Sequence, residues 1–281
     1  MTEGVESTAQ DDEARLRELL RVAPGSPVSL ADRHPGATHG WQRQEAERAT
    51  SRRLEHLANL QDRLWAEEKR AVLVVLQGID ASGKDGTIRR VMSAFNPQGC
   101  VVSSFRVPTA EELAHDYLWR VHRRVPAKGV IGVFNRSHYE DVLVVRVRNL
   151  VPEREWRLRY HHIREFERLL SETGTTIVKL MLHISRGEQR KRFQARYDDP
   201  AKRWKFRLGD LDVRVQWDDY MAAYEAALQE TSTGHAPWYV VPADRKWFRD
   251  LAVATILAQT IEELRPDYPP AADLPADLVI E

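Results

Sequence analysis

Residues 72–90 read V-L-V-V-L-Q-G-I-D-A-S-G-K-D-G-T-I-R-R. The apolar, largely β-branched run Val72–Leu76 reads as a buried strand. Gly78 follows shortly, then four residues, then Gly83-Lys84. A strand that passes through such a turn into a helix converges its loop N–H groups on a phosphate, with the lysine as a point charge. Glycine permits the tight curl because it lacks a Cβ. Gly78, Ala81, Ser82, Gly83, Lys84, Asp85 and Gly86 are therefore the candidate phosphate binders. The competing reading is a plain surface turn between strand and helix.

Two positions depart from the usual form of such a loop. Asp85 follows the lysine, where Ser or Thr ordinarily holds Mg²⁺. Asp80 lies inside the loop, where a carboxylate repels phosphate unless a divalent cation links the two. The alternative for Asp80 is a turn-forming side chain bonded to its own backbone. The alternative for Asp85 is an acid in the first helical turn, favoured by the macrodipole.

Working outward, 281 residues allow one large domain or two small ones, and 42% apolar content supports a sizeable core. Lysine plus arginine number 42 and acids number 42, so the net charge is zero. No global field attracts nucleic acid, and an anion site has to come from local clustering of base. Cys100 is the only cysteine, which excludes an internal disulfide and suits a reducing compartment. The opening M-T-E-G-V-E-S is acidic and has no apolar h-region, so no secretory signal is expected. No apolar run reaches the ~20 residues that span a bilayer. A soluble, cytoplasmic protein without membrane partners is expected.

Residues 1–40 read as an N-terminal extension, with a disordered lead to about Glu13, a short helix over Arg15–Arg21 and a Pro- and Gly-rich arm from Pro24. Ala46, Ala49, Leu54, Leu57, Leu60 and Leu64 mark an amphipathic helix within 41–70. Strands are expected at Val72–Leu76, Val101–Phe105, Val130–Phe134, Ile177–Leu182 and Trp238–Val241. Helices are expected at Gly86–Phe95, Glu111–Arg124, Tyr139–Val147, Glu155–Glu172, Arg214–Thr231 and Lys246–Leu264. Such alternation predicts a parallel sheet covered on both faces. The main unit is placed at 41–265, with a loosely held proline-rich tail over 266–281.

The loop and its flanks resemble the polyphosphate kinase 2 family. Four further segments carry the likeness, in the family's order: Ser103–Phe105 with P-T-A-E-E-L at 108–113; F-N-R-S-H-Y-E-D at 134–141; D-P-A-K-R-W-K at 199–205; and T-S-T at 231–233 with A-P-W at 236–238. The resemblance covers about Leu20 to Glu263. It implies a P-loop kinase-like three-layer α/β/α fold with a five-stranded parallel sheet and a helical lid. It further implies reversible phosphoryl transfer between inorganic polyphosphate and AMP or ADP. Mg²⁺ is the implied cofactor with Mn²⁺ as the alternative, adenine the implied base with guanine as the alternative, and the assembly a dimer or tetramer.

Many family members have Asp where this chain has Asn135, so the resemblance leaves Asp80 as the metal's main carboxylate, with Asp85 and Glu140 as further candidates. Arg136, at the carboxyl end of a strand, suits bidentate grip on an acceptor phosphate. Its alternative is a surface ion pair with Glu140 at i+4. Members preferring diphosphates tend to have Asn at the Glu140 position, and an acid there resembles the class that accepts both AMP and ADP. Glu140's plainer reading is an acid at a helix start. His138 reads as packed or capping rather than as a base.

A basic run spans Arg186, Arg190, Lys191, Arg192, Arg196, Lys202, Arg203, Lys205, Arg207 and Arg214. In nucleoside-phosphate kinases this place in the topology is a lid, here about 186–214, and the resemblance puts Arg192, Arg196, Lys202 and Lys205 in it. A solvated charged face is the alternative. Arg89, Arg90, Arg106, Arg120, Arg123 and Arg124 form a second patch, of which Arg89 and Arg106 are taken as phosphate binders on a track for the polyanion. No zinc spacing, G-x-S-x-G elbow or dinucleotide fingerprint occurs. Three readings stand: a polyphosphate-dependent nucleotide kinase, an ATP-dependent nucleoside monophosphate kinase, and a non-enzymatic nucleotide-binding switch.

Overall fold

The computed structural model describes residues 9–206 and 209–270. The expected disordered lead over 1–8, Arg207 of the basic run and the tail beyond 270 lie outside the described residues. Strands form at β1 (Ala71–Gln77), β2 (Cys100–Ser104), β3 (Ile131–Asn135), β4 (Thr175–His183) and β5 (Trp238–Pro242). They build one parallel sheet in the order β2-β3-β1-β4-β5. β1 is therefore central and buried throughout, which is why it reads as an unbroken apolar run rather than an alternating one. Leu76 pairs with Asn135, and Gln77 pairs with Met181. The carboxyl ends of β1, β3 and β4 thus open side by side.

Two helical layers cover the sheet. Arg43–Glu67 and Lys246–Leu264 pack on each other, joined by the helix Lys84–Val91 that follows β1. Lys246–Leu264 is apolar nearly all round, with Leu251, Ala252, Val253, Ile256, Leu257 and Ile261 fully buried, as a helix at the centre of a layer must be. Glu153–Glu172 and Trp217–Thr231 form the second layer.

The amino-terminal segment is more ordered than its composition implies. Helix begins at Ala9 and runs to Leu20, so residues 9–13 are helical rather than part of a disordered lead. Leu16, Leu20, Val22 and Leu30 enter the main core. Val22 N–H donates to Trp238 O at 2.8 Å, and Arg21 bridges Tyr239, so this segment covers the β5 edge.

Two expected helices are broken. Glu111–Arg124 is instead two short turns, Ala110–Leu113 and Trp119–His122. Thr109 and Glu112 cap the first reciprocally. Asp116 Oδ1 accepts the N–H groups of Leu118 and Trp119 at 2.9 and 3.1 Å and restarts the chain. Tyr139–Val147 is likewise a 3₁₀ turn, His138–Asp141, followed by Val144–Val147. There tertiary partners take His138, Tyr139 and Asp141 into the interior.

Among the described residues no helix is long and apolar enough to cross a membrane.

Candidate active site

β1 ends at Gln77 and the chain curls at once. Gly78, Ala81 and Gly83 have φ of 146°, 65° and 111°. A Cβ on Gly78 would sit 2.7 Å from both Leu182 O and Ser82 Oγ, so only glycine fits. Ala81 occupies the left-handed region at a cost of about 1–2 kcal/mol. Lys84 opens the helix that follows, with its side chain folded back into the curl. Its Nζ donates to Gly78 O at 2.6 Å and more weakly to Ile79 O at 3.5 Å. Burial pushes this ammonium down to about 8, and Arg136's charge adds to the effect, while Asp80, Glu140 and Asp85 oppose it. Asp85 and Gly86 are exposed in the first helical turn, where backbone N–H groups lack intrahelical partners.

The neighbouring strand β3 delivers Asn135 and Arg136 to the same place. Arg136 sits at φ 63°, and its N–H donates to Leu76 O at 3.1 Å. Its guanidinium donates to Glu140 Oε2 at 3.0 Å and to Asp80 Oδ1. The i+4 ion pair with Glu140 therefore exists, yet the same fork also reaches the loop. Glu140, with Asp80 adding and burial opposing, holds Arg136 protonated well above the ordinary arginine range. Asn135 Nδ2 donates to Asp85 Oδ1 at 3.0 Å. Asp80, Lys84, Asp85, Arg136 and Glu140, with the Asn135 amide, come from two adjacent strand ends and form one polar cluster around a curled loop.

This loop and cluster lie inside the stretch, residues 40–269, that matches the family model "Polyphosphate kinase 2 (PPK2)". The chain belongs to the polyphosphate kinase 2 family. It is 54% identical over 263 residues to the AMP/ADP-polyphosphate phosphotransferase of Meiothermus ruber, covering 93% of this chain and 98% of that protein. It is 51% identical over 228 residues to the ADP-polyphosphate phosphotransferase of Rhodopseudomonas palustris, covering 77% and 79%. The crystal structure of polyphosphate kinase 2 from Arthrobacter aurescens superposes with a TM-score of 0.89 at 44% identity, over 93% of both chains. The chain is a phosphotransferase with the P-loop fold of that family.

In this chain the expected lid residues separate. Arg192 lies beneath the loop, on the carbonyls of Ala81 and Ser82 at 3.0 and 2.9 Å. Arg196 stands over the Phe193 ring at 5.6 Å, and Lys202 pairs with Asp199 at 2.5 Å on the exposed surface. The side chain of Lys205 lies outside the described residues. Of the second basic patch, Arg89, Arg90, Arg106, Arg123 and Arg124 are exposed. Arg120 is not on that surface: it is buried, 3.5 Å from Glu112 and 3.8 Å from Asp141, and donates to Arg106 O at 2.8 Å. The acidic neighbours took it inside, which a count of arginines along the sequence does not register.

Sequence reasoning missed Tyr224, Gln189 and Arg249. Tyr224 is buried beside Glu140, Arg136 and Asp80, and its phenol is pushed well above 10 by burial and by Glu140. Trp217, Tyr220 and Tyr224 sit at i, i+3 and i+7 on one helix, a spacing that reads simply as core. Gln189 Nε2 donates to Asp80 O at 3.0 Å, and Arg249 Nη1 donates to Gly83 O at 3.3 Å. Nothing in the local sequence of either marks it as a neighbour of the loop. His138 is buried with Nε2 3.3 Å from Glu167, a packed histidine rather than a base facing the site.

Proposed function

We propose that this protein transfers the terminal phosphoryl group of inorganic polyphosphate to AMP and to ADP. The convergence of Lys84, Asp80 and Arg136 on one curled loop carries this reading. An acceptor phosphate oxygen attacks the terminal phosphorus in line. The new P–O bond forms as the anhydride bond breaks, and the shortened chain leaves with the electron pair. The acceptor is already an ionised phosphate, so no general base is required. Lys84 and the loop N–H groups hold the donor's terminal phosphates. Arg136 orients the acceptor phosphate, and both cations offset charge in the transition state. Arg196, Lys202 and Lys205 form the part of the 186–214 segment that closes over the phosphates, while Arg89 and Arg106 track the outgoing chain. The substrate chemistry and the single cysteine fit a cytoplasmic home. A homo-oligomer is in keeping with the open β2 edge, where Val101 and Val102 are exposed.

Mg²⁺ fits the donor set. Among the described residues no group of three His, Cys, Asp or Glu forms a ready metal cage. Mg²⁺ ordinarily takes one or two carboxylates and completes its shell with water and substrate phosphates. Asp80, with Asp85 and Glu140 as further oxygen donors, would hold it; when bound it neutralises phosphate charge. Asp80→Asn is expected to raise the Mg²⁺ concentration for half-maximal rate by about tenfold or more, with nucleotide affinity little changed. A variant with the wild-type Mg²⁺ titration would remove the metal role.

Glu140 is the acceptor-choice residue. AMP is one phosphate shorter than ADP, so its α-phosphate has to reach the transfer position. A carboxylate there orients a metal or its water shell to fill the gap. Glu140→Asn is expected to lower kcat/KM for AMP about tenfold more than for ADP. If Glu140 only pairs with Arg136, both acceptors lose by the same factor and the AMP/ADP ratio stays put.

The proposal as a whole is tested by incubating the purified protein with polyphosphate, Mg²⁺ and either AMP or ADP, with no ATP. ADP or ATP should form accordingly. An ordinary monophosphate kinase would form no ADP from AMP without added ATP, and from ADP it would form ATP only with an equal amount of AMP and with or without polyphosphate; a binding switch would form neither product.

A further inference from the structure

Every carbonyl from Gly78 to Gly83 has a donor. Lys84 Nζ serves Gly78 O at 2.6 Å, and Ser82 N–H closes on Ile79 O at 3.0 Å. Gln189 Nε2 donates to Asp80 O at 3.0 Å. Arg192 Nη1 donates to Ala81 O at 3.0 Å and Ser82 O at 2.9 Å. Gly83 O accepts from Thr87 N–H at 2.9 Å and from Arg249 Nη1 at 3.3 Å. Arg249 packs so close that a Cβ on Gly83 would collide with its Nη1.

Arg192 has no N–H left over. A guanidinium has five donors. Here Nε goes to Glu188 Oε1 at 2.8 Å, Nη1 to the two loop carbonyls, and Nη2 to Ala243 O at 2.5 Å and Asp244 O at 3.1 Å. It therefore cannot grip a phosphate without giving up one of these bonds. In a trans peptide the C=O of one residue and the N–H of the next point in opposite directions. Holding the carbonyls of Asp80, Ser82 and Gly83 on the outside thus fixes the N–H groups of Ala81, Gly83 and Lys84 toward the inside, where phosphate binds.

We propose that Gln189, Arg192 and Arg249 are positioning residues: a brace on the outer side of the loop that keeps its N–H groups aimed at phosphate. Gln189 and Arg192 lie at i and i+3, on one face of the helix Arg186–Asp198. That helix opens the basic segment, so its root is latched to the loop. Arg214 Nη1 donates to Gln189 Oε1 at 2.9 Å and to Arg186 O at 2.9 Å, which ties the far end of the segment to the near end. The inference rests on the loop being the polyphosphate site.

The test is Arg192→Ala, with kcat and KM measured separately for polyphosphate and ADP. The expected result is a fall in kcat/KM for polyphosphate of about 10- to 100-fold, an unchanged KM for ADP, and partial rescue by millimolar guanidinium but not by sodium chloride. Wild-type kinetics, or an equal loss toward both substrates without rescue, would overturn the brace. Arg192→Lys, which keeps the charge but cannot serve five acceptors, should show the same selective loss if the alanine variant does not fold; full activity in Arg192→Lys would also overturn the brace. Calorimetric binding of tripolyphosphate, weaker in either variant than in wild type, reads the brace without turnover. Absence of polyphosphate-dependent transfer in the wild type would instead defeat the proposed reaction and leave that binding comparison in force.

Discussion

Lys84→Ala is expected to lower turnover by about 100- to 1000-fold with the fold intact. Among the described residues its Nζ donates only to the carbonyls of Gly78 and Ile79, so the substitution removes no ion pair described there and opens no gap in the apolar core. What is lost is a fixed positive charge at the centre of a loop whose N–H groups face inward. Two loop carbonyls lose a donor, a stability cost of about 1 kcal/mol that lowers the melting midpoint by a few degrees. Turnover and thermal melts on the same sample separate the two effects. A near-wild-type rate would sink the phosphate-loop assignment.

Lys179→Met is expected to cost about 3–5 kcal/mol of stability. Lys179 stands on β4 and is fully buried, as is Glu167 on the helix Glu153–Glu172. Its Nζ donates to Glu167 Oε2 at 2.6 Å, to Thr231 O at 2.7 Å and to the Tyr139 hydroxyl at 3.0 Å. Tyr139 in turn donates to Glu167 Oε1 at 2.8 Å, and Trp238 Nε1 donates to Thr231 Oγ1 at 2.9 Å. The network ties β4 and β5 to both helices of one layer. Removing the lysine strands a buried carboxylate, whereas replacing Lys179 and Glu167 together by methionine should recover most of the loss. Urea unfolding of wild type, single and double variants checks this. A double variant as unstable as the single one would show that the pair is not the source.

The same network sets a pH dependence. Burial raises the cost of a charged Glu167, but Lys179 and His138 outweigh it and hold the carboxyl below its ordinary 4.5. The unfolded chain then binds the proton first as pH falls, so Glu167 contributes stability above about 4.5 that is lost progressively on acidification.

The sheet was legible because its central strands are buried on both faces. Val72–Leu76 and Ile177–Leu182 admit no polar alternation, and β1 and β4 extend them by only one or two residues at each end. The strand order is not a property of any one segment, and no local pattern states that β3 lies beside β1. Yet that adjacency brings Arg136 to Asp80. The two broken helices have different causes: Asp116 accepts the N–H groups of Leu118 and Trp119 in a local turn, whereas Tyr139 is drawn inward by Glu167 far along the chain. The loop motif itself showed in the sequence because phosphate chemistry demands glycines and a lysine within one short stretch of chain. Arg192 reads as a lid residue, and its contacts to the loop carbonyls, like Arg249 altogether, stay hidden because a cation that serves backbone carbonyls looks, in sequence, like one that serves solvent.

The most direct measurement follows the phosphoryl group itself. Polyphosphate radiolabelled in its phosphates is mixed with unlabelled AMP, Mg²⁺ and the wild-type protein, and the nucleotides are separated. The label should appear in the β-phosphate of ADP, and with Lys84→Ala it should be reduced by the same factor as turnover. Label recovered only as inorganic phosphate, or none transferred at all, would contradict direct transfer at this loop.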